Sequence, residues 1–125
     1  MQIVGTIDLS KFKSIFNDIT TNEVVLTSDR LAHIITDHPG DYEKYSEYVP
    51  DILENPDYII EANRPNSAVL LKDLTDIGVK IQIVLRINTS SDPAEYKNSI
   101  ITLMKIRTKE WRRLLKSKII LYKST

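Results

Sequence analysis

Cysteine is absent from the chain, which excludes disulfide frameworks, thiolate zinc and iron–sulfur sites, and cysteine nucleophiles together. Only three glycines occur, and none forms a phosphate-cradling loop or a Gly-x-Ser-x-Gly elbow, so P-loop ATPases, Rossmann enzymes and α/β-hydrolases are not expected. Long apolar runs are also missing: the longest holds about four residues, against the roughly 20 a membrane-spanning helix needs. The opening Met-Gln-Ile-Val-Gly-Thr has no basic stretch followed by an apolar one, so neither export nor membrane insertion is expected, and the cytoplasm is the expected location. What remains is an ordinary globular composition, 42% hydrophobic and 27% charged over 125 residues, the size of one domain spanning 1–125.

The net charge is zero, but it is a sum of opposed halves. Residues 1–61 carry 4 basic and 12 acidic side chains, net −8, whereas residues 62–125 carry 13 basic and 5 acidic ones, net +8. Such asymmetry suits a polyanion-binding surface, and equally two halves that neutralise each other within one fold.

Hydrophobic periodicity gives the coarse organisation. Gln2 to Ile7 reads as a short strand, Ser10 as the cap of a helix carrying Phe12, Ile15 and Phe16, and Val24 to Leu26 as the next strand, a small β–α–β opening. Thr27-Ser28-Asp29 caps a helix with Leu31, Ile34 and Ile35 on its apolar side, ending at His38 because Pro39 disfavours α geometry at the preceding residue. Pro50 opens a short helix that Asn55-Pro56 stops. Strands follow at Tyr58 to Glu61, Ala68 to Lys72, Val79 to Asn88 and Lys97 to Ile106, then a basic helix from Thr108 to Lys116 and a last strand from Ile119 to Tyr122. The order predicts an α+β domain, helices first, packed on an antiparallel sheet of about four strands.

The residues capable of chemistry are few. His33 and His38 lie five positions apart, about 140° around a helix, so they make no i, i+4 metal pair and no metal site is expected. His33 shares a helix side with Asp37, which suits an oriented acid or base and also a plain surface histidine. Arg86 stands in a strand whose other face is wholly apolar, where a guanidinium can fork onto a phosphate or simply face solvent. Lys72, Lys97, Lys105 and Arg107 accompany it. Lys109, Arg112, Arg113, Lys116 and Lys118 continue the basic run, which suits the solvated side of a helix and, with Trp111 and Tyr122 among the charges, also nucleic-acid contact. Ser99 and Thr102 fall on opposite sides of a regular strand, so both reach one site only if a bulge intervenes.

Several ordered stretches carry a family resemblance: His33-Ile-Ile-Thr-Asp-His38-Pro39, Pro50 through Glu61, Leu70-Leu-Lys72, Val84-Leu-Arg86-Ile-Asn88-Thr, Tyr96-Lys-Asn-Ser99-Ile-Ile-Thr102, and Ile119-Ile-Leu-Tyr122-Lys. Together they resemble the phage-associated branch of the barnase, EndoU, colicin E5/D and RelE-like (BECR fold) nuclease superfamily from about Asn22 to Lys123, with residues 1–21 outside the recognisable match. The resemblance implies a metal-independent endoribonuclease without cofactor, often toxin-like or borne by a mobile element. It implies N-terminal helices on a four-stranded antiparallel sheet whose exposed face holds the site, and RNA cleavage by the 2′-hydroxyl, which DNA lacks. Carried over residue by residue, the catalytic positions are His33, Lys72, Arg86, Ser99 and Thr102, with substrate contacts expected from His38, Asn88, Lys97, Lys105 and Arg107. The expected partners are RNA and a cognate immunity or antitoxin protein. The alternative is a catalytically inactive RNA- or protein-binding module of a phage or mobile element.

Overall fold

The clearest alternation in the sequence sets the centre of the fold. In the computed structural model, which describes residues 2–12, 15, 16 and 18–124, the strand Val79–Arg86 (β5) buries Ile81, Ile83 and Leu85 completely and leaves Lys80, Gln82, Val84 and Arg86 half-buried on its other face. Antiparallel neighbours flank it. Ser67–Leu74 (β4) pairs on one side, through Leu70↔Ile83 and Ser67↔Arg86, and Asn98–Ile106 (β6) on the other, through Ile83↔Leu103 and Arg86↔Ser99. Tyr58–Glu61 (β3) then pairs with β4.

The sheet does not stop at these four strands. It has seven, in the order β1-β2-β6-β5-β4-β3-β7, which corrects the expected count. The short segments Gln2–Thr6 (β1), Glu23–Leu26 (β2) and Ile120–Lys123 (β7) join the same sheet, because an antiparallel meander leaves two rows of unpaired backbone groups to be satisfied. β2 adds parallel to β6 through Val24↔Asn98 and Val25↔Ser99, so the sheet is mixed. β1 runs antiparallel to β2, making this opening a bulged antiparallel pair.

Helix placement needs a second correction: two strands precede the helices, and one helix follows the meander. Helices α1 (Ser28–Asp37), α2 (Asp41–Tyr45) and α3 (Val49–Glu54) lie between β2 and β3, and α4 (Thr108–Ser117) between β6 and β7. Thr27 caps α1 by accepting the Arg30 amide at 3.2 Å, and His38 closes its C-terminus, as read from sequence. Where the first helix is expected, the described residues show a turn of 3-10 helix at Leu9–Lys11, capped by Asp8, which takes the Ser10 amide at 3.0 Å; residues 13, 14 and 17 of that expectation lie outside the described residues.

Two layers of unequal size cover the sheet. On one face Leu70, Ile83, Leu85, Ile100 and Leu103 pack with Phe12, Ile34, Val49, Ile52 and Leu53, so α1 to α3 lie on this side. On the other, Ile60, Val69, Leu71 and Ile106 pack under Leu114, Trp111 and Leu115 of α4. One short helix spans only part of this side: Ser67, Val69 and Leu71 are buried, whereas Gln82, Val84, Arg86, Ser99 and Thr102 are partly exposed among the described residues.

Candidate active site

The α4 face is built by cross-strand register. Its rows read Ser67–Arg86–Ser99, then Val69–Val84–Thr102, then Leu71–Gln82–Met104. A register shift between Val84 and Leu85 passes over Ile101, so Ser99 and Thr102 stand on the same face despite their odd spacing. That bulge is the condition under which both hydroxyls join Arg86. A groove of about 470 Å³ runs along this face, lined by Ser67, Gln82, Val84 and Ile101 from the sheet, and by Arg64, Glu110, Arg113 and Lys118 from the β3–β4 turn and the α4 region.

Arg86 is held in place rather than free to wander. Its Nη2 donates to Asp92 Oδ1 at 2.9 Å and its Nη1 to the Ile87 carbonyl, and the side chain is 38% exposed. Asp92 Oδ2 accepts the Thr89 amide at 2.8 Å, so one carboxylate ties the guanidinium to the loop after β5. The Thr89 amide, and then the Arg86 guanidinium, hold the Asp92 carboxyl below its ordinary pKa. That loop is anchored in turn: Asn88 donates to Thr20 Oγ1 at 2.7 Å, Ser90 Oγ to Asp18 at 2.7 Å, and the buried Asn98 accepts the Asn88 amide at 2.8 Å. Across the groove, Arg113 forks onto both oxygens of Glu110 at 2.5 and 2.8 Å, which lowers the Glu110 pKa and raises that of Arg113. Lys118 donates to Asn63 Oδ1 at 2.8 Å.

The remaining residues named from sequence do not gather here. Lys72 stands on the α1–α3 face opposite Ile81, donates to the Asn55 carbonyl at 2.7 Å and lies 3.6 Å from Asp57 and 3.9 Å from Asp51. His33 is exposed on α1, beside Asp29, Ala32 and Thr36, with the sheet between it and Arg86. His38 closes that helix. Asn88 is buried in the loop network, and Lys97 pairs with Glu23 at 2.5 Å at the start of β6. Lys105 is exposed on the α1–α3 side opposite Ile81, where Asp41 accepts its amide at 2.9 Å. Arg107 is exposed at the N-cap of α4. Trp111 packs edge-on to Tyr58 at 5.9 Å and beneath Lys80, and is partly buried.

Sequence reasoning missed Asp92, Ser67, Glu110 and the groove itself. Asp92 carried a faint signal, a carboxylate in the polar loop six residues after Arg86. The groove had none, since it exists only where α4 crosses the sheet.

These features define an α+β domain whose α4 face carries Arg86, Ser99 and Thr102, next to a groove lined by Ser67 and by both cations and carboxylates. The chain matches the family of phage-Barnase-EndoU-ColicinE5/D-RelE like nuclease 2 over residues 1–123, and it belongs to that nuclease family. Comparisons with curated proteins and with solved structures returned no match. Among the described residues no helix is long and apolar enough to cross a membrane, and no group of three or more His, Cys, Asp or Glu side chains is arranged to hold a metal ion.

Proposed function

We propose that the chain is a toxin-like endoribonuclease that cuts RNA at the α4 face of its sheet, and that the cytoplasm is where it meets RNA. The bulge at Ile101 carries this reading, because it aligns Ser99 and Thr102 with Arg86. A phosphate there receives the guanidinium N–H groups that Asp92 and the Ile87 carbonyl leave unused, and two hydroxyl donors, the groups that charge gathering on phosphoryl oxygens calls for. The 2′-hydroxyl attacks phosphorus, the bond to the 5′-oxygen breaks, and the products are a 2′,3′-cyclic phosphate and a 5′-hydroxyl. The nucleophile belongs to the substrate and the charge is met by side chains, so the reaction runs without a metal. Proton transfer falls to Glu61, which also lines the groove and, unlike Glu110, has no cation on its carboxylate among the described residues; His33 and Lys72 lie on the other side of the sheet. A cognate immunity or antitoxin protein would act by covering the groove.

The test is cleavage of a labelled RNA in EDTA, with the matching DNA as control. Arg86→Ala is expected to lower the rate at least about 100-fold, the scale of one lost transition-state donor, while the thermal unfolding curve stays cooperative. Full activity in Arg86→Ala refutes the site, and DNA cleavage refutes the 2′-hydroxyl route. Loss in His33→Ala with Arg86→Ala active moves the site to the α1–α3 face. The absence of an imidazole from the groove favours a second reading, a binding module without chemistry, which salt-sensitive RNA binding with no cleavage would establish.

A further inference from the structure

Cations without a carboxylate partner occur in several places among the described residues, Arg30, Lys44, Arg64, Lys105 and Lys123 included, but they are concentrated at α4. Lys11, Lys72, Lys80, Arg86, Lys97 and Arg113 each pair with a carboxylate. Arg107, Lys109, Arg112 and Lys116, all in or next to α4, are exposed and have no such partner among the described residues. The helix has a single acid, Glu110, and Arg113 occupies it. At 3.6 residues per turn, Trp111, Leu114 and Leu115 share the side that packs on the sheet, so Lys109, Arg112 and Lys116 line the outer side over about 10 Å of helix. Charge on the opposite layer has the other sign. Helices α1 to α3 carry Asp29, Asp37, Asp41, Glu43, Asp51 and Glu54 against only Arg30 and Lys44.

We propose that the outer stripe of α4 is a track for the sugar–phosphate backbone of single-stranded RNA running on from the groove, an inference that rests on the ribonuclease reading and extends it to the length of substrate required. A polyanion is repelled from the α1–α3 side and attracted to the α4 side, where three unpaired cations follow one another at a spacing a flexible strand can match. A protein partner fits the stripe poorly. Protein interfaces centre on buried apolar or aromatic anchors, and α4 turns all of its own inward. The consequence is a nuclease that favours strands extending several nucleotides beyond the cut over dinucleotides.

The experiment separates binding from cleavage by using a 2′-O-methyl oligonucleotide, which has no free 2′-hydroxyl. Its affinity for the full chain is measured by fluorescence anisotropy between roughly 50 and 200 mM salt, beside the triple variant Lys109→Gln, Arg112→Gln, Lys116→Gln. Three lost phosphate contacts are expected to flatten the slope of log affinity against log salt by about 2, a change of about 20-fold in salt sensitivity over that range. The double variant Arg30→Gln, Lys44→Gln, on the acidic side, is expected to keep the wild-type slope. An unchanged slope in the triple variant overturns the track and leaves the stripe open to a protein partner, and so does a wild-type chain that fails to bind the oligonucleotide. Binding with the expected slope but no cleavage of ordinary RNA keeps the track and refutes the ribonuclease reading. Cleavage without slope change does the reverse.

Discussion

Asn98 is the residue on which the scaffold of the α4 face is most exposed to a single change. It is fully buried, and its side chain makes three hydrogen bonds, accepting the Asn88 amide at 2.8 Å and donating to the carbonyls of Thr21 at 2.8 Å and Glu23 at 3.1 Å. These bonds fasten the loop behind Arg86 and the entry of β2 to the first residue of β6. Asn98→Ala removes all three, at about 1 kcal/mol each, and leaves the Asn88 amide without its acceptor for about 1–2 kcal/mol more, roughly 4–5 kcal/mol in all. For a domain of this size that lowers the melting temperature by roughly 10–20 °C. Asn98→Asp has the same shape and keeps an acceptor for Asn88, but sets a carboxylate against two carbonyls. It is therefore expected to be comparably destabilising at neutral pH and to recover as the pH falls and the new carboxyl gains a proton to donate. Urea unfolding followed by tryptophan fluorescence measures both variants. A loss below about 1 kcal/mol in Asn98→Ala, or an Asp variant as stable as wild type at neutral pH, would refute the reasoning.

Two further outcomes follow from other parts of the fold. Gly5 sits at φ +158° in β1, and a Cβ there would lie 2.9 Å from Leu53 Cδ1 and 3.4 Å from the Pro50 Cα. Leu53 is fully buried and cannot retreat, so Gly5→Ala is expected to cost about 1–3 kcal/mol in denaturant unfolding, and a neutral result would mean that β1 and α3 part easily. The depressed pKa of Asp92 means that its contribution is complete above the unfolded carboxyl value of about 3.9 and is lost as pH falls through the lower folded value. The Thr89 amide resonance is expected to shift only below about pH 4, and a midpoint above that value would contradict the Asp92 geometry.

How much of this could be read in advance depended on how local the cause was. The β5 alternation placed Arg86 on the polar side of a buried strand, and Thr27 with Pro39 bounded α1 almost to the residue. The parallel pairing of β2 with β6 was hidden, because four residues cannot announce a partner more than seventy positions away. Ser99 and Thr102 depended on a bulge that register across two strands decides, so sequence parity alone left them apart. The 3-10 turn at Leu9–Lys11 is capped two residues earlier than the cap read from sequence, because Asp8 takes the Ser10 amide. The histidines stood out chemically, but their distance from Arg86 follows from which face of the sheet α1 covers, a matter of chain path rather than composition.

The parallel β2–β6 pair also fixes an order of assembly. The meander from β3 to β6 is made of hairpins between neighbours in sequence and can close early, whereas β2 must wait for a partner near residue 98. During synthesis the β1–β2 pair therefore cannot join the main sheet until β6 has been made. The pairing of Val25 with Ser99 waits on residues more than seventy positions further along the chain. The α4 face is completed late, and a nuclease built this way stays unassembled for most of its own translation.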